Sequence, residues 1–135
     1  MSVKELPLFA ALRARMAWIS ERQKLLSENI ANADTPDYRP RDLKPVDFGK
    51  MVEGKTGSVG MAVTNARHLT GGKGAQNLDF KAVESETYEV SPSGNAVSIE
   101  EEMMKVGQAQ MDFEVTTNLY RKHTALLKMA LGRGN

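Results

Sequence analysis

The chain has 135 residues, 18 Lys and Arg against 17 Asp and Glu, and no cysteine. Its length predicts one domain, its balanced charge gives no sign of a nucleic-acid partner, and the missing cysteines exclude disulfides and thiolate metal sites. No stretch approaches the roughly 18 consecutive apolar residues of a membrane span, so we expect no direct lipid insertion.

The first predicted element is a long helix near the N-terminus. Apolar residues recur there at alternating steps of three and four, the heptad pattern of helices that pack along partners. Pro7 suits a first helical turn, whereas Pro36 cannot continue a helix and disfavours helical torsions at Thr35. The predicted seam consists of Phe9, Leu12, Met16, Ile19, Leu26 and Ile30.

The middle of the chain, residues 37–96, has a different character. Glycine and proline interrupt it too often for a long helical period. Residues 59–63 and 80–90 are predicted strands, and the second is enriched in β-branched and aromatic residues. We therefore expect a small β-hairpin or extended arms between two terminal helices.

A literal phosphate-loop pattern, G-x-x-x-x-G-K-T, runs from Gly49 to Thr56. Its mechanism needs a buried strand before the loop and a helix after it. Pro45 breaks the preceding segment, and glycines follow the loop. A nucleotide-hydrolysing enzyme is therefore a minor alternative, and we predict no catalytic, cofactor-binding or metal-binding residues.

The last predicted helix follows Ser98. Ser98 and Glu101 have the spacing of a capping box, and Glu100 to Glu102 place negative charge at the positive end of the helix dipole. Basic residues and Gly132 mark the other end. The predicted seam of this helix consists of Ile99, Met103, Val106, Phe113, Tyr120, Leu127 and Leu131.

Each terminal helix also carries a second apolar line. It comprises Ala11, Trp18 and Leu25 on the first helix, and Met111, Val115, Leu119, Leu126 and Met129 on the last. One alternative is an intramolecular bundle in which the middle segment covers these lines. Because the middle segment is polar, we instead expect both lines to pack against other subunits. Three parts result: residues 1–36, residues 37–96 and residues 97–135.

The end of the first helix resembles the N-terminal signature of flagellar axial proteins, the family of rod, hook and hook-associated subunits. Where that signature commonly reads Pro-Gly-Tyr, this chain has Pro36-Asp37-Tyr38. Residues 94–103 resemble the family's approach to its last helix. The signature positions are Asn29, Ile30, Ala31, Asn32, Thr35, Pro36 and Tyr38.

The resemblance implies a mainly α fold, in which the terminal helices pair as a coiled coil around an irregular or β-hairpin middle. It implies a structural subunit of the proximal rod in the flagellar basal body, without a cofactor, assembling helically into the drive shaft. Implied partners are copies of itself, other rod and basal-body proteins including the rod-base/MS-ring junction, and the type III export apparatus.

Export would occur without a cleaved signal peptide, and the rod would cross the periplasm. Phe48 and Val52 fit a short export-gate motif of the family, a Phe with an apolar residue four positions later. The alternative from the same helical pattern is a soluble adaptor or export chaperone that binds partner helices transiently.

Overall fold

The computed structural model describes residues 7–53 and 79–132. In chain order the elements are α1 (Pro7–Ala31), β1 (Arg41–Leu43), α2 (Phe48–Val52), β2 (Ala82–Glu84) and α3 (Ile99–Ala130). The predicted strand at residues 59–63 and the last three residues of the phosphate-loop pattern, 54–56, lie outside this part of the chain.

Helices α1 and α3 pack as an antiparallel hairpin. The Phe9 and Tyr120 rings meet edge to face with their centroids 5.2 Å apart, near the ends of the two helices. Farther along, Gln23 Nε2 donates to Gln110 Oε1 at 3.2 Å. The prediction of a mainly helical fold with paired terminal helices is confirmed. We call the end where α1 finishes and α3 begins the closed end, and the opposite end the open end.

The two helices contribute unequally to the core. α1 buries large side chains, including Phe9, Ile19 and Leu26, whereas the buried residues of α3 are Glu102, Ala109 and Thr116. These three stand seven residues apart, so they occupy one heptad position. Ala109 and Thr116 are small, which lets the backbone of α3 approach the large side chains of α1 closely.

The start of α3 follows the predicted cap. Ser98 has an extended backbone, and its hydroxyl accepts the Glu101 N–H. The Glu101 carboxylate forms an ion pair with Lys105 at 3.0 Å. At the other end, Gly132 has φ = 67° and follows the last turn, a left-handed conformation that glycine adopts without steric cost.

The middle of the chain forms a two-stranded antiparallel sheet, in which Asp42 pairs with Val83. The predicted strand at residues 80–90 is correct only over Ala82–Glu84. Its partner β1 was not predicted, because two prolines flank a segment of three residues. Helix α2 was also missed: it is one turn long and starts where the Asp47 carboxylate accepts the Gly49 N–H at 3.1 Å.

The middle of the chain covers the second apolar line of α1. Ala11 and Leu25 are buried, the Trp18 indole donates to the Lys44 carbonyl at 3.2 Å, and its ring meets the Phe48 ring edge-on. We call the described part of the middle segment, residues 37–53 and 79–96, the arm. The expectation that other subunits cover this line was wrong, because the arm, although polar overall, places apolar side chains such as Phe48 against α1. The corresponding line of α3 stays exposed.

Candidate assembly surfaces and signature cluster

Asn29 is the centre of a buried polar cluster at the closed end. Its side chain is fully buried. The amide nitrogen donates to the Arg41 carbonyl and to Glu102 Oε2, both at 2.7 Å. The amide oxygen accepts the Arg41 N–H at 3.0 Å and the Tyr38 hydroxyl at 3.1 Å. All four hydrogen-bonding positions of the amide are thus used.

These bonds join three elements. Towards Arg41, the Asn29 amide offers one donor and one acceptor, as the backbone of a neighbouring strand would, and so it covers the outer edge of β1. Towards α3, it holds the carboxylate of Glu102. One side chain of the sequence signature therefore fixes α1, the arm and the start of α3 relative to each other.

Glu102 is a buried carboxylate with two partners. Its Oε2 accepts from Asn29, and its Oε1 accepts from Lys105 Nζ at 3.0 Å. Burial lowers the pKa of Lys105, but the hydrogen bonds to Glu101 and Glu102 and their charges outweigh this effect, so the pKa of Lys105 is raised above its usual value. Lys105 therefore stays cationic at any physiological pH, and the buried carboxylate keeps its counter-ion.

Asn95 joins the two turns of the closed end. Its amide nitrogen donates to the carbonyls of Asn32 and Thr35, at 2.9 and 2.7 Å, which lie just beyond the C-terminus of α1. Its oxygen accepts the Val97 N–H at 2.9 Å. A helix end leaves its last carbonyls unpaired, and Asn95 supplies donors from the segment that leads into α3.

The departure from the family signature at Asp37 has a structural explanation. Asp37 has φ = 58°, in the left-handed region, and is the only non-glycine residue with positive φ in the part of the chain that the structure describes. Its carboxylate lies against Gly94, which also has positive φ, and a Cβ at Gly94 would collide with it. Glycine is the usual residue at such a position, and Asp is among the few substitutes.

Replacement of Asp37 by glycine is expected to raise the free energy of unfolding by up to about 1 kcal/mol, because the left-handed strain disappears while glycine costs some unfolded-state entropy. Urea unfolding followed by circular dichroism measures it. Asp37→Val is the matched control and should destabilise the chain, since β-branched residues tolerate this region worst. Equal stability of the two variants would contradict the assignment.

The arm is held on α1 by a second group of contacts. Arg22 forms a bidentate pair with Asp42, at 2.8 and 2.7 Å. The hydrogen bond to Asp42 is the main cause that raises the pKa of Arg22. The guanidinium carbon also lies 5.5 Å from the centre of the Trp18 ring. Because planar stacking and two parallel hydrogen bonds favour arginine, this contact fixes the orientation of the arm.

Arg22→Lys is therefore expected to cost about 1–2 kcal/mol of stability despite the retained charge, because a lysine cannot reproduce the bidentate pair. The measurement is urea unfolding, with the exposed residue Arg15, changed to lysine, as the control. A cost no greater than that of the control would show that the Arg22–Asp42 pair does not hold the arm.

The predicted seam residues divide into two groups. Those of α1 are buried, except for Met16 and Ile30, which are half-buried, and four of α3 are half-buried: Val106, Phe113, Tyr120 and Leu127. Phe9 and Tyr120 contact each other across the hairpin. Ile99, Met103 and Leu131 are exposed in the single chain. The sequence pattern missed Glu102 and Thr116 because it counted only apolar residues, although their seven-residue spacing from Ala109 was a usable signal.

The signature positions, the export-gate pair and the acidic run also differ in burial. Of the signature, four residues take part in the closed-end contacts: Asn29, Asn32, Thr35 and Tyr38. Ile30 is half-buried, and Ala31 and Pro36 are exposed. Phe48 is half-buried against Trp18, and Val52 is exposed on the same short helix. In the acidic run 100–102, Glu101 and Glu102 both form ion pairs with Lys105 at 3.0 Å, and Glu102 is the buried one. The described residues contain no group of three potential metal ligands.

The outer face of α3 carries an apolar stripe, formed by residues that lie opposite its buried heptad line. Met111 is 62% exposed and Val115 is 66% exposed. Spacings of three, four and seven residues keep the stripe on one side of the helix. We call this surface the α3 outer stripe; it consists of Met104, Met111, Val115, Leu119, Leu126 and Met129.

A second apolar surface is an open groove at the open end, with a volume of about 490 Å³. Leu8 and Phe9 of α1 line one side, Val52 of α2 contributes one wall, and Leu126 and Leu127 of α3 line the other side. The groove therefore adjoins the α3 outer stripe through Leu126.

The structural context does not support the phosphate-loop reading. Gly49, the first glycine of the pattern, lies inside α2. The strand that precedes it, β1, has three residues and pairs antiparallel with β2 alone. A phosphate loop instead connects a strand of a parallel sheet to a long helix.

Separately, no helix among residues 7–53 and 79–132 is both long and apolar enough to span a bilayer.

Comparison with known proteins identifies the family. No protein-family model matches the chain. It is 30% identical over 134 residues to the flagellar basal body rod protein FlgB of Agrobacterium fabrum (strain C58), covering 98% of both chains. It is 33% identical over 122 residues to FlgB of Salmonella typhimurium (strain LT2), covering 80% of this chain and 83% of the relative.

The likeness extends to a distant bacterium. FlgB of Bacillus subtilis (strain 168) is 26% identical over 113 residues and is covered, like this chain, to 84%. The match to the Agrobacterium fabrum protein covers 98% of the chain, so it includes the hairpin, the signature cluster and the middle segment. The chain belongs to the FlgB family of flagellar basal body rod proteins.

Proposed function

We propose that this chain is a non-enzymatic structural subunit of the proximal rod, which assembles helically with copies of itself and other rod components. The observation that carries the proposal is the α3 outer stripe. In the folded chain, the arm covers the second apolar line of α1, whereas the α3 outer stripe remains exposed. Apolar stripes of this length on a folded chain mark protein interfaces.

The geometry of α3 suits a rod wall. Its 32 residues extend over about 48 Å at 1.5 Å per residue. Its inner face binds α1 through small residues, and its outer face offers the stripe along the helix from Met104 to Met129. A neighbouring helix packed along this stripe would turn the two-helix hairpin into one unit of a continuous helical wall, which resists torsion through close packing.

The arm supports the same role. Its described residues are fixed on α1 by the contacts of Trp18 with Lys44 and Phe48 and by the Arg22–Asp42 pair. We propose the three-part division at residues 1–36, 37–96 and 97–135 on this basis, with the arm reaching towards adjacent subunits. The rod-base/MS-ring junction is among the neighbours that we propose for this subunit.

Delivery through the type III export apparatus, without a cleaved signal peptide, is part of the proposal. Phe48 and Val52 lie one helical turn apart on α2, so both can face one partner when α2 is released from Trp18 with its helical turn intact. Phe48→Ala is expected to weaken arm packing and secretion, whereas Val52→Ala, at an exposed position, should reduce secretion alone. Secretion assays with thermal unfolding of both purified variants separate the two effects.

Fractionation of flagellated cells tests the main proposal. A tagged chain is expected to co-purify with detergent-extracted basal bodies, and its density should lie in the proximal rod in images of those particles. A soluble helical adaptor or export chaperone would instead remain in the supernatant. Basal bodies purified from a deletion strain serve as the control, and a complete rod in that strain would refute the structural role.

A further inference from the structure

Methionine is concentrated on the exposed face of α3. The chain has eight methionines and no cysteine. Four of the eight lie on α3, and all four are exposed: Met103, Met104, Met111 and Met129, at 62%, 72%, 62% and 60%. Because the chain has no thiol that would react first, these thioethers are its main accessible targets for a mild oxidant.

Three of these methionines belong to the α3 outer stripe. At about 100° per residue, Met104, Met111 and Met129 fall within about 20° of each other around the helix axis. They form one edge of the stripe, and we call them the stripe methionines. Met103 lies about 100° away from this line, so it is as exposed as Met111 but stands outside the stripe.

Met16 of α1 has a different environment. It is half-buried in the hairpin, and its sulfur accepts a hydrogen bond from the Thr117 hydroxyl of α3 at 3.8 Å. An oxidant has to reach a sulfur lone pair, and this environment slows its approach. Met16 therefore provides a reference, within the same chain, for a thioether that the fold protects.

We propose that the stripe methionines form an oxidation site of the unassembled subunit, at which hydrogen peroxide changes the α3 outer stripe from an apolar into a polar surface and thereby blocks its packing. The inference rests on the proposed function, and it adds a chemical control of the same surface. Before assembly the three side chains are exposed. A neighbouring helix that covers the stripe also covers the sulfurs, so the site acts on subunits that still have to be incorporated.

The reaction is a two-electron oxygen transfer. A sulfur lone pair attacks one oxygen of hydrogen peroxide, the S–O bond forms as the O–O bond breaks, and the proton of the transferred oxygen passes to the departing hydroxide to give water. The thioether is oxidised to a sulfoxide, and the peroxide is reduced. Methionine sulfoxide reductases reverse the change by oxidising two thiols to a disulfide, with release of water.

The sulfoxide changes what the stripe can bind. Its oxygen is a hydrogen-bond acceptor, and a packed apolar interface offers that oxygen no donor. The hairpin itself is unaffected, because the stripe methionines point away from its buried line. Oxidation therefore separates assembly from folding.

Peroxide treatment of the purified chain tests the reactivity. Peptide mass spectrometry should show the stripe methionines gaining one oxygen at least about fivefold faster than Met16, while circular dichroism shows an unchanged helix content. Met103 should react about as fast as Met111, since the two are equally exposed. Equal rates at Met16 and at the stripe methionines would overturn the assignment.

Growth of a flagellated strain in sublethal peroxide tests the consequence. Sulfoxide at the stripe methionines should be at least about fivefold more frequent in the soluble pool of the chain than in purified basal bodies. Replacement of all three by leucine keeps the stripe apolar, so in peroxide this variant should give at least about twofold more basal bodies than the unchanged chain. Without peroxide the two strains should give equal yields.

Glutamine imitates the polarity of the sulfoxide without any oxidant. Met104→Gln, Met111→Gln and Met129→Gln together should lower the basal-body yield at least about fivefold, whereas Met103→Gln should keep it within about twofold. Equal sulfoxide frequencies in the two pools, or a normal yield from the triple glutamine variant, would contradict the inference. If the unchanged chain is absent from the basal bodies of untreated cells, the proposed function itself has failed.

Discussion

Replacement of Asn29 by alanine is expected to lower the free energy of unfolding by about 3–5 kcal/mol, because a buried charged group and buried peptide groups lose their partners together. Glu102 keeps only Lys105 as a partner, and the Arg41 N–H and C=O lose the amide that covers them. The Tyr38 hydroxyl loses its acceptor as well. Urea unfolding followed by circular dichroism at the helix band measures the change.

A matched substitution isolates the effect of burial. Asn118→Ala makes the same chemical change on the exposed face of α3 and should shift stability by no more than about 0.5 kcal/mol. The double variant Asn29→Leu with Glu102→Leu removes both the amide and the carboxylate, so it should be less destabilised than Asn29→Ala. If Asn29→Ala costs under 1 kcal/mol, the cluster does not organise the closed end.

Introduction of carboxylates into the α3 outer stripe is expected to abolish motility while the single chain stays folded. Val115→Glu with Leu126→Glu changes two residues that are exposed in the hairpin, so the helix content of the purified chain should be unchanged. In an assembled wall the same carboxylates would be buried without partners, which costs several kcal/mol per subunit. Swimming assays and basal-body yield measure the loss.

The control for this variant adds one carboxylate outside the stripe. Ser20→Glu lies at an exposed polar position of α1 and should leave motility close to normal. A conservative pair, Val115→Ile with Leu126→Met, keeps the stripe apolar and should also remain motile. Normal rods containing the glutamate pair would mean that the stripe faces solvent in the assembly.

Much of the hairpin could be predicted from local patterns. The start of α3 at Ser98 and the α1 seam follow from rules that act within one or two helical turns. The strand pairing and α2 could not be predicted in this way. They depend on contacts such as Trp18 with Lys44, which link residues 26 positions apart, and on strands too short to show an alternating pattern.

The signature cluster shows the same division. In the sequence, Asn29 and Glu102 are polar residues near helix ends. A polar residue is common at such a position, because it can be solvated there or can interact with the helix dipole. Their hydrogen bond spans 73 positions, so only the folded hairpin shows that both are buried and paired. Asp37 is intermediate: the sequence indicates a turn, and the structure shows why glycine is the usual residue there.

By itself, then, the sequence determined two helices, their ends and their apolar faces, because helix period and capping are properties of neighbouring residues. The tertiary structure decided which apolar face stays open. The arm lies over α1 and leaves the α3 outer stripe free, a choice that depends on the Arg22–Asp42 pair and the Trp18 contacts.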